Sequence, residues 1–270
     1  MGYRFLANVR GSYRERCHPK GHRVSSFVTK LENFTRLSAS DRAAAESLGR
    51  ERLTRHGPRS DVVREGEPPR VVRLIVDGWA SRYKQLEDGR RQIVALFLPG
   101  DVCDLNVFIL REMDHSIAAL TPLTVANISR GAFEKATASQ PRLLQALWWE
   151  SLVNVATQRE WAVNLGSRTA YERILHLLCE VFLRSRAAGL ATGDTCPCPI
   201  TQATIADITG LSAVHVSRTF NVVRDEGLVE LQGRVLRVPD LDALMAASLF
   251  NPNYLHLDRD GCHLDANDVA

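Results

Sequence analysis

The sequence has no stretch approaching about eighteen uninterrupted apolar residues, so no part of it reads as a membrane-spanning helix. Its first residues carry arginines but lack the apolar core of roughly 7 to 15 residues that a secretory leader needs, which predicts a cytoplasmic protein. The six cysteines are therefore expected to be reduced. None has the paired spacing of a zinc site: Cys196 and Cys198 form a two-cysteine loop, while Cys17-His18, His22 and Cys262-His263 are scattered. Catalytic signatures are missing too. With no glycine-rich phosphate loop, nucleophile elbow or metal-ligand cluster, an enzyme reading has only isolated Ser, His and Asp residues to stand on. The sequence predicts neither an enzyme nor a resident cofactor or metal.

Charge is nearly balanced as well. The formal net charge is +3, but residues 1–30 hold seven Lys/Arg against Glu15, a local +6 that leaves the remainder at −3. Basicity is thus confined to an N-terminal arm, read as flexible over residues 1–25.

What is present begins with length and composition. At 270 residues, 45% hydrophobic and 24% charged, the chain is long enough for two globular domains with separate cores. Residues 26–50 show apolar positions at helical spacing, with Ser38 or Ser40 placed as a cap. From about residue 51 to 130, seven short β-type runs alternate with turn residues such as Asp88-Gly89 and Pro99-Gly100-Asp101, the pattern of a compact β-roll or barrel. Residues 141–168 then return to helical spacing. Leu144, Leu147, Ser151, Val155, Gln158, Ala162 and Leu165 form a long stripe that suits a partner helix in a parallel homodimer, and Trp148, Trp149 and Trp161 either line that seam or pack on the β-domain. A further helix is expected over residues 169–188, a loop over 191–199, a short helix over 240–247 and a flexible tail over 251–270.

The most specific stretch is residues 200–238. Thr201 caps a helix carrying Ile205 and Ile208, Gly210 ends it, and Ser212 caps a second helix. On that second helix Val216, Phe220 and Val223 share one face, leaving Val214, Ser217, Arg218 and Asn221 opposite. Residues 228–231 and 234–238, joined through Gln232 and Gly233, read as a two-stranded wing. A unit of this form lays its second helix in the major groove, where an arginine donates two hydrogen bonds to guanine O6 and N7. Arg218 is the candidate for that contact. Thr201 and Gln202 suit phosphate, and His215, near the helix start, suits phosphate or a base. The candidate DNA-binding set is Thr201, Gln202, Ser212, Val214, His215, Ser217, Arg218 and Asn221. Net charge does not argue for it, because the four arginines of residues 196–239 are matched by four acidic residues.

The order β-roll, long helix, winged helix-turn-helix resembles the CRP/FNR family of bacterial transcription regulators, through residues 74–102 (LIVDGWASRYKQLEDGRRQIVALFLPGDV) and residues 200–231 (ITQATIADITGLSAVHVSRTFNVVRDEGLVEL). The resemblance covers about residues 26–245. It implies an α+β fold: a cyclic-nucleotide-binding-like β-roll (a double-stranded β-helix) over residues 26–140, a dimerisation helix over 141–168, and a winged helix-turn-helix domain over 169–250 with its core at 200–223. It also implies double-stranded DNA with a palindromic operator as partner, a second copy of the chain, and RNA polymerase as a candidate contact. Two departures matter. Where the family often has Glu on the reading helix this chain has Val214, so contact with a thymine methyl replaces a carboxylate bond to cytosine. Where relatives that bind cyclic AMP have Gly-Glu and Arg-Ser, this chain has Asp104-Leu105 and His115-Ser116, so weak or no cyclic AMP binding is expected. With Cys17 alone in the arm and Cys103 in the β-roll, the four thiolates of an iron–sulfur cluster are not supplied.

Two functions therefore stand. One is a homodimeric, sequence-specific DNA-binding regulator with a sensory β-roll, with or without an effector. The other is a ligand or redox receptor acting through protein partners, its helix-turn-helix weak or inactive toward DNA.

Overall fold

The computed structural model describes residues 26–105 and 107–257. The basic arm expected over residues 1–25, with Cys17, His18 and His22, lies outside the described residues, as do Cys262 and His263.

Two short helices, α1 (Ser26–Leu31) and α2 (Ala39–Leu48), come first. Ser38 is the cap of α2: its hydroxyl accepts from the Asp41 amide while Asp41 accepts from the Ser38 amide, a reciprocal box that satisfies two otherwise orphaned donors. Seven strands follow: β1 (Leu53–His56), β2 (Asp61–Val63), β3 (Val71–Asp77), β4 (Ala80–Gln85), β5 (Arg91–Phe97), β6 (Ser116–Ala119) and β7 (Leu123–Ser129). They pair antiparallel in two sheets, of order β2-β6-β4-β5 and β1-β7-β3, around a core that includes Ile75, Ile93, Phe97, Ile117, Val125 and Ile128. This is the β-roll that the turn spacing indicates. Two of its turns require glycine. Gly78, at φ +83°, lets β3 turn into β4 with the Pro122 carbonyl oxygen 2.1 Å from where a Cβ would sit, and at Gly100, at φ +95°, a Cβ would come within 2.7 Å of the Ser26 backbone.

The helix α3 (Arg130–Ser139), which the sequence reading left unassigned, leads into α4 (Pro141–Ser167). Twenty-seven residues make α4 about 40 Å long. Its inward face differs from the expected stripe. Leu143, Ala146, Leu147, Glu150, Val153, Ala156, Thr157, Trp161 and Asn164 are buried against the rest of the same chain. Leu147 thus turns inward, whereas Trp148, Leu152 and Val155 are 62%, 59% and 51% exposed, with Ala162, Val163 and Leu165 continuing outward. The helix is apolar on two faces, and a single stripe drawn from spacing merges them.

After α4 come α5 (Ala170–Ala187), β8 (Thr195–Pro197), α6 (Gln202–Thr209), α7 (Ala213–Asp225), β9 (Glu230–Gln232), β10 (Val235–Arg237) and α8 (Leu241–Ala247). The wing is three-stranded, of order β8-β10-β9, so the expected loop over residues 191–199 contains a strand: Cys196 pairs with Leu236, and both are buried. The expected flexible tail also needs correction at its start. Residues 251–257 hold a 3-10 turn, Pro252–Leu255, that buries Tyr254 and Leu255. Among the described residues no helix is long and apolar enough to cross a membrane.

Candidate nucleic-acid interface

The local sequence sets the two-helix unit. The Thr201 hydroxyl accepts from the Thr204 amide at 3.1 Å and starts α6, while Gly210, at φ +66°, stops it in the left-handed region. Two residues on, the Ser212 hydroxyl accepts from the His215 amide at 3.2 Å and starts α7. Val216, Thr219 and Val223 bury one face of α7, with Phe220 half-buried beside them. The opposite face carries Val214, His215, Arg218, Asn221 and Val222, all exposed, with Ser217 half-buried at its edge.

Of the eight candidate residues, the structure brings Ser212, Val214, His215 and Arg218 to one open groove. Asn221 lies further along the same exposed face, and Thr201 and Gln202 are exposed at the start of α6. Among the described residues the side chains of His215, Arg218 and Asn221 make no hydrogen bond or ion pair. The other arginines of the unit differ. Arg237 is tied to Asp194 at 2.8 Å and Glu230 at 3.1 Å, and Arg224 lies 3.5 Å from Asp225. Arg234, at φ +67° in the tip of the wing, shares with Arg218 the lack of an internal partner. Among the described residues the near-zero charge of the module therefore hides two guanidinium groups, those of Arg218 and Arg234, without an ion-pair partner.

The groove has a second wall that the sequence reading missed: Thr169, Ala170 and Tyr171 at the start of α5, with Val222 on α7. The available signal was the pair Thr169 and Glu172, a second capping box that marks a helix start. Two helix N-termini thus border the groove, an arrangement favourable to phosphate oxygens. Tyr171 donates its hydroxyl to Glu226; burial, then this carboxylate, push its phenol up to about 12.

The unit is held from beneath. Arg173 donates to the Thr209 carbonyl at 2.6 Å, and Gln92 on β5 donates to the carbonyls of Asp207 and Ile208. These acceptors belong to the last turn of α6, whose carbonyls have no partner within the helix.

In the β-roll, Asp104 and His115 do converge. Arg82, on β4, donates to Asp104 Oδ1 at 2.7 Å and to the Cys103 carbonyl, with its guanidinium 5.0 Å from the centre of the Phe97 ring. Asp104 Oδ2 lies 3.3 Å from His115 Nε2, and His115 Nδ1 lies 2.6 Å from Asp114. Sequence reading did not single out Arg82, which sits 22 residues from its carboxylate partner. Both bonds come from Arg82 Nη2, so the Asp104 carboxylate pairs with one end of the guanidinium.

The cysteines within the described region, Cys103, Cys179, Cys196 and Cys198, are buried as free thiols. Burial pushes the thiols of Cys103 and Cys179 well up, Cys196 up to about 11 and Cys198 up to about 12, which keeps them protonated and poorly nucleophilic. Among the described residues no group of three or more His, Cys, Asp or Glu side chains is placed to hold a metal ion.

Comparison with known proteins places this geometry. Residues 54–140 match the cyclic nucleotide-binding domain, and residues 172–247 match the Crp-like helix-turn-helix domain. The chain is 31% identical over 180 residues to the transcriptional activator protein FnrL of Cereibacter sphaeroides, covering 64% of this chain and 70% of that protein. It is 32% identical over 204 residues to the transcriptional activatory protein AadR of Rhodopseudomonas palustris, covering 73% and 84%. Among solved structures, FixK2 from Bradyrhizobium japonicum superposes with a TM-score of 0.63 at 27% identity, over 72% of this chain and 96% of that one.

Proposed function

The chain belongs to the CRP/FNR family and is a DNA-binding transcription regulator, and from that premise we propose that it works as a homodimer reading a palindromic operator with α7. The observation that carries the reading is the exposed face of α7, where Arg218 stands without an internal partner among the described residues. An arginine so placed gives up no internal hydrogen bond when it meets a guanine edge, and Val214 beside it suits a thymine methyl. Ser212, His215, Ser217 and Asn221 add polar contacts along the same helix. Thr201 and Gln202, at the start of α6, fix register through phosphate. Thr169 and Ala170 border the same groove and extend that phosphate contact to α5.

Dimerisation uses the outward face of α4. Trp148, Leu152, Val155 and Ala162 recur at steps of four, three and seven, the spacing of a two-helix seam. Doubling the short reading helix turns two modest half-site affinities into one strong one. The protein acts by binding, in the cytoplasm where its DNA is, with RNA polymerase as a further contact, and not by catalysis.

The β-roll does not take cyclic AMP as its signal. A cyclic phosphate needs an uncompensated guanidinium, and the charge of Arg82 is already paired with Asp104 while His115 is flanked by Asp104 and Asp114. Two fixed carboxylates at this place repel a second anion.

A gel-shift series with DNA from upstream regions, comparing the intact protein with Arg218→Ala, tests the proposal. The variant should lose specific binding by about 5- to 150-fold, the equivalent of the roughly 1–3 kcal/mol that a bidentate base contact contributes. Equal weak binding by both proteins removes Arg218 from specific readout and favours the receptor that acts through protein partners.

A further inference from the structure

The segment Phe250 to Leu257 lies beyond the residues that match the helix-turn-helix family, 172–247, yet it buries Phe250, Tyr254 and Leu255 against the rest of the chain. Asn251 accepts from the Asn253 amide at 3.0 Å, and Pro252 starts the 3-10 turn. Leu249 and His256 bracket the segment at φ +50° and +48°, a region that side-chain-bearing residues avoid unless tertiary contacts hold them there.

Those contacts reach both sides of the joint between α4 and α5. Tyr254 donates its hydroxyl to Glu180 Oε2, on α5, at 2.8 Å, and Trp161, on α4, donates to the same oxygen at 3.0 Å. The Phe250 ring lies 4.6 Å from the His176 ring of α5, and the His256 ring lies 5.1 Å from that of Trp149 on α4. At the joint itself Arg168, in extended conformation after α4, donates to the Leu249 carbonyl at 3.3 Å as well as to Glu160 and Asn164. The contacts continue inward. Glu180 Oε1 accepts from Arg184, Arg184 pairs with Asp101 at 2.7 Å, and Lys30 bridges Asp101 and Glu150 at 2.5 Å each. One buried chain of charges thus runs from the β-roll turn through α5 to Tyr254.

We propose that residues 250–257 form a strap that braces the α4–α5 joint and so positions the DNA-reading unit. This rests on the function proposed above: α4 carries the seam, α5 carries α7, and their mutual angle fixes the distance between the two reading helices of a dimer. The strap is a positioning element and touches no DNA. Without it, Glu180 loses a buried donor and His176 and Trp149 lose their ring contacts with Phe250 and His256, and the joint opens locally while both domains stay folded.

The test uses the full chain, Tyr254→Ala, Tyr254→Phe, a chain ending after Leu249, and a chain ending after Leu257 as control. Each is measured by amide hydrogen exchange over residues 164–172 and by binding to synthetic operators whose half-sites stand at the preferred separation or one base pair nearer or further. In Tyr254→Ala and in the chain ending after Leu249, joint amides should exchange about tenfold faster or more, and the preference for one separation should fall by about tenfold, with single half-site binding unchanged within about twofold. The Leu257 control should match the full chain. Tyr254→Phe, which keeps the ring and removes only the hydroxyl, should shift both readouts the same way by about threefold, and it decides the matter if the larger changes prevent folding. Unchanged exchange and unchanged separation preference overturn the strap. Absence of DNA binding by the intact protein would instead overturn the function it rests on, leaving hydrogen exchange to judge the strap.

Discussion

The side-chain amide of Gln92 donates to the carbonyl oxygen of Ile208 at 3.0 Å, joining the start of strand β5 to the last turn of helix α6 across 116 residues of sequence. The same nitrogen reaches the Asp207 carbonyl at 2.8 Å. The β-roll therefore holds the helix-turn-helix unit by the last turn of α6. Gln92→Ala should lower the unfolding free energy by about 1–2 kcal/mol, from two lost hydrogen bonds, and speed amide exchange in the Gly210 turn. Denaturant titration and hydrogen exchange check this; a variant with wild-type exchange in that turn shows the bonds to be unimportant.

The exposed apolar face of α4 gives a second expectation. Leu152→Glu sets a carboxylate where the proposed seam would bury it, while in one chain the position is 59% exposed. Sedimentation should show monomers at concentrations where the parent is dimeric, with the stability of the single chain changed by less than about 0.5 kcal/mol and operator affinity reduced by about 100-fold. A dimer that survives this change places the interface elsewhere.

Acid should weaken the fold through His176. This imidazole is fully buried, and burial followed by the neighbouring Arg168 lowers its pKa to about 3. In the unfolded chain it takes a proton below about 6.5, whereas the folded protein stays neutral there, so stability is lost as pH falls from about 6.5 toward 3. Between pH 7 and pH 5 that is about 2 kcal/mol. Asn, which cannot titrate, should remove that part of the slope in His176→Asn; identical pH slopes in parent and variant refute the assignment.

The β-roll should ignore cyclic AMP. Calorimetry with the nucleotide at up to about 1 mM should show no binding heat, because the guanidinium of Arg82 is engaged by Asp104. Asp104→Ala should cost about 3 kcal/mol of stability, since it leaves a largely buried guanidinium without its carboxylate. Low-micromolar binding by the parent protein contradicts the reading.

What the sequence made visible follows the range of the forces involved. The helix-turn-helix was legible because its determinants are local: caps at Thr201 and Ser212, the left-handed Gly210, and Val216 and Val223 on one face. The seven strands of the β-roll were legible from turn residues spaced a few positions apart. The network of Lys30, Asp101, Glu150, Glu180 and Arg184 was not, since its partners lie up to 120 residues apart and each looks like an ordinary surface charge. The segment around Tyr254 was read as tail because Asn251-Pro252-Asn253 has the composition of a loop, and what orders it lies on distant helices: Glu180 and His176 on α5 and Trp149 on α4. The stripe on α4 departs from its outward face at Leu147, which packs inward on residues that spacing alone does not reveal, whereas Val155, Ala162 and Leu165 are exposed. Strand β8 was hidden by Pro197 and Pro199, whose effect is tolerated at the edge of the wing sheet.

Selection of bound sequences from a random duplex pool, run in parallel on the intact protein and Arg218→Ala, tests the central claim most directly. The account predicts an inverted repeat with half-sites about one helical turn apart and a guanine in each half that the variant no longer selects. An unsymmetrical motif, or the same guanine recovered with both proteins, would contradict it.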